Sequence, residues 1–152
     1  MLAIIDYGVG NLFSLQCSLK KIGIEAVVTS DENVIKEADR IILPGVGAFG
    51  DAAKKLRSSG LVELITEEAK NGKPFLGICL GLQLLFESSE ESPGIKGLGL
   101  LKGKIKRIPD KEGLKIPHIG WNSLELINNG RLFEGINNPY VYFVHSYYLE
   151  AK

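Results

Sequence analysis

Four short apolar runs, each followed by a segment with helical spacing, constrain the fold of this 152-residue chain more than any other feature. A continuous apolar run of this kind is typical of a parallel strand that is buried on both faces. We therefore predict an α/β fold with a doubly wound, mostly parallel sheet whose ligands bind at the carboxyl ends of the strands. The predicted strands cover residues 2–5, 26–28, 40–43 and 74–79, and the predicted helices cover residues 11–22, 31–38, 51–70 and 80–87, with a possible break at Gly60.

The pattern changes after residue 90, where strands are predicted with few helices between them. These strands cover residues 99–108, 121–127 and 140–144, and we expect them to extend the sheet in antiparallel fashion. The chain contains no internal repeat and no low-complexity tract. Residues 1–152 are therefore expected to form one domain.

Composition argues against several classes of protein. The chain has 18 Lys and Arg residues and 18 Asp and Glu residues, so no overall field attracts nucleic acid or an acidic membrane. Its apolar stretches are too short to span a bilayer, and its first residues lack the pattern of a signal peptide. Cys17 and Cys79 lie too far apart to indicate a disulfide scaffold or a zinc site. We expect no metal, no cofactor and a cytoplasmic location.

The sequence Gly-Ile-Cys-Leu-Gly at residues 77–81 joins the fourth predicted strand to its helix. A nucleophile between small residues at such a junction is typical of the elbow turn of hydrolases. Gly77 and Gly81 allow a sharp turn, and Cys79 would then stand clear of the backbone at the positive end of a helix. This position favours a thiolate nucleophile. The alternative is a buried structural cysteine beside two packing glycines.

A second glycine-rich segment, Gly-Val-Gly-Ala-Phe-Gly, covers residues 45–50. It matches the dinucleotide-binding fingerprint, but it follows the third strand, whereas that fingerprint normally follows the first. We favour a different role, in which backbone N–H groups of Gly45, Val46 and Gly47, together with that of Leu80, stabilise an oxyanion. An ordinary turn between strand and helix is the alternative.

Other polar residues are weaker candidates. Gln83 lies one helical turn after Cys79 on the same face, so its amide is a candidate for binding a polar substrate, or else it is an exposed helix residue. Cys17 lies within the first helix and is expected to be an inert packing thiol.

A cysteine hydrolase also needs a histidine base, and His145, which ends a strand, fits better than His118, which lies in a loop.

Five motifs together resemble the class I (triad) glutamine amidotransferases over all 152 residues. They are Asp-Tyr-Gly-Val-Gly-Asn at 6–11, Pro-Gly-Val-Gly-Ala-Phe-Gly at 44–50, Gly-Ile-Cys-Leu-Gly-Leu-Gln at 77–83, Pro-His-Ile-Gly-Trp-Asn at 117–122 and Tyr-Phe-Val-His-Ser-Tyr at 142–147. The resemblance implies a flavodoxin-like fold and a glutaminase subunit of a heterodimer. Such a subunit passes ammonia to a (β/α)8-barrel synthase (cyclase) subunit, which makes imidazole glycerol phosphate in histidine biosynthesis.

The resemblance also implies roles for individual residues. Cys79 corresponds to the nucleophile that forms a γ-glutamyl thioester, and the segment 45–47 with Leu80 corresponds to the oxyanion region. The family position after Gly47 is often histidine and is Ala48 here. Positions around the bound glutamine correspond to Gln83, Glu91, Ser146 and Tyr147, and positions at the synthase interface correspond to Asn11, Trp121 and Tyr142.

One departure from the family pattern concerns the general base. In the family, the base and its orienting acid lie in a His-x-Glu motif, which residues 1–152 do not contain, and His145 corresponds to a histidine outside the triad. We therefore expect the chain to lack roughly fifty residues at its C-terminus, within the ordinary size of such a domain. By itself it should have little or no glutaminase activity, because loss of a base removes orders of magnitude of rate.

Three alternatives to this function remain at the level of sequence. A non-catalytic module would dock on the synthase through Trp121 and Tyr142 without chemistry. A cysteine-based stress protein shares the elbow but does not explain the other glycine and histidine motifs. A paralogous amidotransferase subunit would serve the amination of a sugar.

Overall fold

A computed structural model describes residues 1–127 and 130–151 of the chain, and these residues contain five α-helices, one 3-10 helix and nine β-strands. Their contacts divide the chain into two compact units. The first unit comprises residues 1–106 together with the last residues from Leu149 onward, and the second comprises Arg107–Tyr148.

A four-stranded parallel sheet forms the centre of the first unit. Its strands are β1 (Leu2–Ile5), β2 (Ala26–Thr29), β3 (Arg40–Leu43) and β4 (Phe75–Gly77), in the spatial order β2-β1-β3-β4. Every neighbouring pair is parallel. All four residues of β1 are buried, because helices cover both faces of a sheet of this type. The prediction of an α/β fold with a mostly parallel sheet is confirmed.

Five helices connect these strands or follow them. They are α1 (Leu12–Lys21), α2 (Glu32–Glu37), α3 (Phe49–Ser58), α4 (Val62–Lys70) and α5 (Leu80–Leu84). The helix predicted over 51–70 is in fact two helices, and the predicted break falls at Gly60, where φ is +77°. Helix α5 ends three residues before the predicted limit, because Ser88–Ser89 forms a short strand, β5.

Leu12, Leu15, Leu19 and Ile22 recur at helical spacing, which predicts that all four lie on one buried face of α1. Leu12, Leu15 and Leu19 pack against the core as their spacing predicts, whereas Ile22 is 69% exposed. The expectation that Cys17 is a packing thiol is wrong, because its side chain is exposed. Cys17 lies two residues from both Leu15 and Leu19, which places it on the opposite side of the helix.

The later strands form two further sheets within the described residues and do not lengthen the four-stranded sheet. Strand β5, strand β6 (Gly103–Arg107) and strand β9 (Tyr147–Ala151) form one of them, and β5 pairs with β6 in parallel. In the second unit, β7 (His118–Ser123) and β8 (Tyr140–His145) form an antiparallel two-stranded ribbon. Strand β7 begins before the predicted residue 121, and β9 was not predicted.

The two units differ in their buried side chains. In the part of the chain that the structure describes, the buried hydrophobic side chains lie between Leu2 and Ile105, apart from Pro139 in the second unit. None of the helices described there is both long and apolar enough to cross a membrane. The apolar core of the molecule therefore belongs to the first unit.

Candidate active site

Cys79 lies on a strained turn between β4 and α5. Its backbone has φ 54° and ψ −118°, and Cys79 and Asn138 are the two non-glycine residues with positive φ among residues 1–127 and 130–151. Such a conformation costs on the order of 1–3 kcal/mol and is often retained at functional sites. The side chain is exposed, which does not fit a buried structural cysteine.

Two glycines make this turn sterically possible. A Cβ atom on Gly81 would lie 1.9 Å from the carbonyl oxygen of Leu43, at the end of β3. A Cβ atom on Gly77 would lie 2.5 Å from the Cα atom of Leu82. Only a residue without a side chain can occupy either position, so the spacing of glycines around Cys79 is a packing requirement.

The first turn of α5 offers a hydrogen-bond donor next to the thiol. The N–H groups of Leu82 and Gln83 donate to the carbonyl oxygen of Cys79 at 3.0 and 3.2 Å. The N–H group of Leu80 has no acceptor among the described residues. This donor is therefore available to a substrate that reacts with Cys79.

The glycine-rich loop after β3 lies directly against α5. A Cβ atom on Gly45 would lie 2.5 Å from the backbone nitrogen of Gly81 and 2.9 Å from the carbonyl carbon of Leu80. Residues 46–48 of the loop are exposed, and Gly47 has φ +89°. Within the described residues, the N–H groups of Val46, Gly47 and Ala48 make no hydrogen bond. The loop thus presents free N–H groups near the start of α5.

The loop after β1 meets the same glycine-rich segment. The hydroxyl of Tyr7 donates a hydrogen bond of 2.8 Å to the carbonyl oxygen of Pro44, and burial raises the pKa of Tyr7 to about 12. Residues 8–10 and 46–48, with Asp51 and Lys55, line a groove of about 380 Å³. The loops that follow β1 and β3 therefore meet at the carboxyl ends of the strands, as predicted for this type of sheet.

Gln83 and Glu91 lie in the first unit, and both are partly buried. The Oε2 atom of Glu91 accepts a hydrogen bond of 2.7 Å from the backbone N–H of Phe49, and the hydroxyl oxygen of Ser92 accepts one of 2.9 Å from Gly50. Sequence reasoning did not predict that Glu91 and Ser92 contact α3. The one available signal was Ala48, which cannot cap that helix with its side chain.

The two histidines lie opposite each other in the β7–β8 ribbon. His118 Nδ1 and His145 Nε2 are 3.1 Å apart, and His145 Nδ1 lies 2.8 Å from the carbonyl oxygen of Tyr147. Because a carbonyl can only accept, Nδ1 of His145 carries a proton, and in the neutral pair its Nε2 accepts from His118. Both ring nitrogens of His145 are therefore engaged, which does not suit a general base.

Ser146 and Tyr147 directly follow β8. Both side chains are partly buried, and the carbonyl oxygen of Ser146 accepts a hydrogen bond of 2.9 Å from the N–H of Ile108. In the described part of the chain, no group of three or more His, Cys, Asp and Glu side chains is arranged to hold a metal ion.

One face of the ribbon carries exposed apolar side chains. The rings of Trp121 and Tyr142 contact each other edge to face, with centroids 5.6 Å apart. Asn11, which was predicted to lie at the same interface, belongs to the first unit and caps α1 by accepting a hydrogen bond from Ser14. The large exposed side chains of the ribbon face are Ile119, Trp121, Tyr140, Tyr142 and Val144.

The sequence and the fold of this chain are similar to those of known proteins. Residues 3–152 match the family described as glutamine amidotransferase class-I. A relative in Methanothermobacter thermautotrophicus, imidazole glycerol phosphate synthase subunit HisH, is 53% identical over 152 residues, which cover 100% of this chain and 75% of that protein. The protein of the same name in Oceanobacillus iheyensis is 55% identical over 148 residues, covering 97% of this chain and 73% of that protein.

Solved structures show the same fold. A glutamine amidotransferase crystal structure matches 93% of this chain and 70% of its own, with a TM-score of 0.72 and 21% identity. The PurLQS structure from Thermotoga maritima matches 96% of this chain and 66% of its own, with a TM-score of 0.65 and 22% identity. The fold, the matched family and the close relatives all agree. The chain belongs to the class-I glutamine amidotransferase family.

Proposed function

We propose that this chain is the glutaminase subunit of an imidazole glycerol phosphate synthase and that it hydrolyses glutamine to glutamate and ammonia. The observation that carries the proposal is the exposed thiol of Cys79 on a strained turn, followed directly by the free N–H of Leu80. The names of the two relatives, which are at least 53% identical to this chain, support the assignment to that synthase.

The first half of the reaction forms a thioester. The thiolate of Cys79 attacks the side-chain amide carbon of glutamine, and the carbonyl electron pair moves onto the oxygen. The N–H groups of Leu80 and of the segment 45–47 stabilise this oxyanion. When the intermediate collapses, the carbon–nitrogen bond breaks and ammonia leaves with the proton that the general base took from the Cys79 thiol.

The second half regenerates the thiol. Water attacks the γ-glutamyl thioester while the general base takes a proton from it. The carbon–sulfur bond then breaks, the base returns that proton to the sulfur, and glutamate is released. We assign the general base to the His-x-Glu motif that the family resemblance implies. Because residues 1–152 do not contain this motif, activity assays require a protein that carries it.

The remaining site residues are assigned to binding of glutamine. Glu91 is the candidate for its α-ammonium group, because a carboxylate binds an ammonium group through charge-assisted hydrogen bonds and the N–H of Phe49 contacts only its Oε2 atom. Gln83, Ser146 and Tyr147 are the candidates for the other polar groups of the amino acid. Each of the four side chains is at least partly buried, which suits a small polar ligand.

We assign the partner, the (β/α)8-barrel synthase subunit, to the exposed face of the β7–β8 ribbon. Trp121 and Tyr142 lie on this face, and exposed apolar clusters of aromatic residues are typical of protein interfaces. Asn11 is assigned to the same interface on the basis of the family resemblance. We further propose that both units belong to one amidotransferase domain, which works in the cytoplasm as part of a heterodimer.

Replacement of the nucleophile tests the function. In the complete protein with its synthase partner, Cys79→Ala should lower glutamine-dependent synthesis by roughly four orders of magnitude or more, because no thioester forms. Synthesis from added ammonia should continue, since it does not need the thiol. Glutamate release and product formation are measured in parallel.

The exposed Cys17 provides a matched control. Cys17→Ala removes the other thiol of the chain from the outer face of α1, and glutamine turnover should stay at the wild-type level. Unchanged glutamine turnover in Cys79→Ala would refute the assigned nucleophile. A wild-type complex that releases no glutamate would instead support a non-catalytic module.

A further inference from the structure

The start of α3 is held by two side chains from a distant part of the chain. Glu91 accepts a hydrogen bond from the N–H of Phe49 at 2.7 Å, and Ser92 accepts one from the N–H of Gly50 at 2.9 Å. The first N–H groups of a helix have no partner within the helix and need an acceptor elsewhere. Ala48, at the N-cap position, provides none.

We propose that Glu91 and Ser92 are positioning residues that hold the segment 46–48 where the N–H groups of Val46 and Gly47 can stabilise the oxyanion. The inference rests on the proposed function and adds a role for the α3 contacts of these two residues. Segment 46–48 leads directly into α3, so any shift of the first turn of that helix changes the direction of these N–H groups.

The contact between Ser92 and α3 is sterically tight as well as hydrogen-bonded. A Cβ atom on Gly50 would lie 2.7 Å from Ser92 Oγ and 3.0 Å from Ser92 Cβ. Phe49 and Gly50 are both buried. The absence of a side chain at position 50 therefore allows the serine to approach the helix backbone closely enough to accept its N–H.

The loop that carries the two acceptors is itself anchored. Ser89 is buried, and its hydroxyl oxygen accepts a hydrogen bond of 3.2 Å from the N–H of Glu91. The N–H of Glu90 donates to the carbonyl oxygen of Ile105 in β6 at 2.9 Å. These contacts connect the loop that carries the two acceptors to strand β6.

The other end of the glycine-rich loop is held separately. The carbonyl oxygen of Pro44 accepts a hydrogen bond from the hydroxyl of Tyr7, and Gly45 packs against the backbone of Leu80 and Gly81. Only three exposed residues, 46–48, lie between this fixed end and α3. With so short a segment, the position of the first turn of α3 largely determines where the N–H of Gly47 points.

The substitution Ser92→Ala tests the proposal in the complete protein bound to its synthase partner. The kcat for glutamine hydrolysis should fall by roughly tenfold, which is less than the loss of at least about a hundredfold caused by removing an oxyanion donor outright. The KM for glutamine should stay within about twofold of wild type, because binding is not altered. Amide hydrogen exchange at Phe49 and Gly50 should become faster.

Ser58→Ala is the matched control. Ser58 lies at the opposite end of the same helix, is exposed, and also makes one hydrogen bond to the backbone, from its hydroxyl to the carbonyl oxygen of Lys54. This variant should keep the wild-type kcat and the wild-type exchange at Phe49 and Gly50. An equal fall of kcat in both serine variants would overturn the positioning role.

Two substitutions of Glu91 separate positioning from substrate binding. Glu91→Gln keeps an oxygen that accepts from Phe49 but loses the charge, so KM should rise while kcat stays near wild type. Glu91→Ala loses both, so KM should rise and kcat should also fall by roughly tenfold. Equal kcat values in the two variants would overturn the positioning role. If Ser92→Ala does not fold, this comparison of the two Glu91 variants tests the positioning role in its place.

The outcomes distinguish this inference from the proposed function. If the wild-type complex hydrolyses glutamine and Ser92→Ala has the same kcat, the positioning role is overturned and the proposed function stands. If the wild-type complex releases no glutamate from glutamine, the proposed function is wrong and the positioning role falls with it.

Discussion

The turn at Cys79, with Gly77 and Gly81, and the β7–β8 ribbon differ in what constrains their residues. Around Cys79, the backbone segments approach so closely that only glycine fits at positions 77 and 81. In the ribbon, large apolar side chains face outward, with Trp121 71% exposed and Tyr142 55% exposed. The first region is thus constrained by packing within its own unit, and the second by what its outer face can bind. Substitutions should therefore alter folding stability in the first region and association in the second.

The substitution Gly81→Ala should break the packed region most severely. Its Cβ atom would lie 1.9 Å from the carbonyl oxygen of Leu43, and backbone atoms at the end of a buried strand cannot move aside cheaply. We expect the free energy of unfolding to fall by more than about 3 kcal/mol, measured by urea denaturation.

Gly72→Ala is the control for this substitution. Gly72 has a positive φ of +88°, unlike Gly81, and a Cβ atom there would meet no neighbour within 4 Å. Its cost should be limited to backbone strain of about 1 kcal/mol. Equal losses in the two variants would show that close packing is not what selects glycine at position 81.

The substitution Trp121→Ala tests the ribbon. Because the indole is exposed, its removal should change the free energy of unfolding by less than about 1 kcal/mol. Binding to the synthase subunit should weaken by about 2 kcal/mol, the scale of a tryptophan at the centre of an interface. Isothermal titration calorimetry measures the affinity and thermal denaturation measures the stability.

Ile22→Ala serves as the matched control for the ribbon. Ile22 is also largely exposed, at 69%, but it lies at the end of α1 in the first unit and is not part of the ribbon. Its substitution should leave the affinity for the synthase unchanged. The comparison between the two regions fails if Trp121→Ala destabilises the chain strongly while binding stays intact.

The smallest effect is expected for Tyr7→Phe, which removes the buried hydrogen bond to Pro44. The loss at neutral pH should be about 1 kcal/mol. Burial raises the pKa of Tyr7 from 10.0 to about 12, so the folded state favours the protonated phenol. This contribution is fully present below pH 10 and is lost as the pH rises from 10 to 12. Unfolding measured across that range should show the decline in wild type and a shallower one in Tyr7→Phe.

Much of the fold of the first unit could be predicted from local sequence. Apolar runs indicated the parallel strands, and at the start of α2 the Oδ1 atom of Asp31 accepts from the N–H groups of Asn33 and Val34, as an aspartate at an N-cap commonly does. The turn at Cys79 was also expected, because a cysteine between two glycines at the junction of a strand and a helix has few other interpretations. These features depend on interactions between residues near each other in the chain.

Features that depend on distant contacts were not predicted. The helical spacing in α1 indicated correctly that Leu19 is buried, but it did not indicate that Ile22 is exposed. Spacing alone does not show where the structure that packs against a helix ends. The contacts of Glu91 and Ser92 with α3 join residues 42 positions apart. No local pattern indicates such a pairing.

The sequence by itself determined the class of sheet, the elbow at Cys79 and the family. Apolar periodicity and the conformational freedom of glycine are local properties that can be recognised from a few neighbouring residues. Only the tertiary structure decided which N–H groups stay free, how α3 is capped, and that Cys17 faces outward while Tyr7 is buried. These outcomes depend on which chain segments pack together. Packing brings together residues that are far apart in the chain, and no local sequence pattern indicates which of them will be in contact.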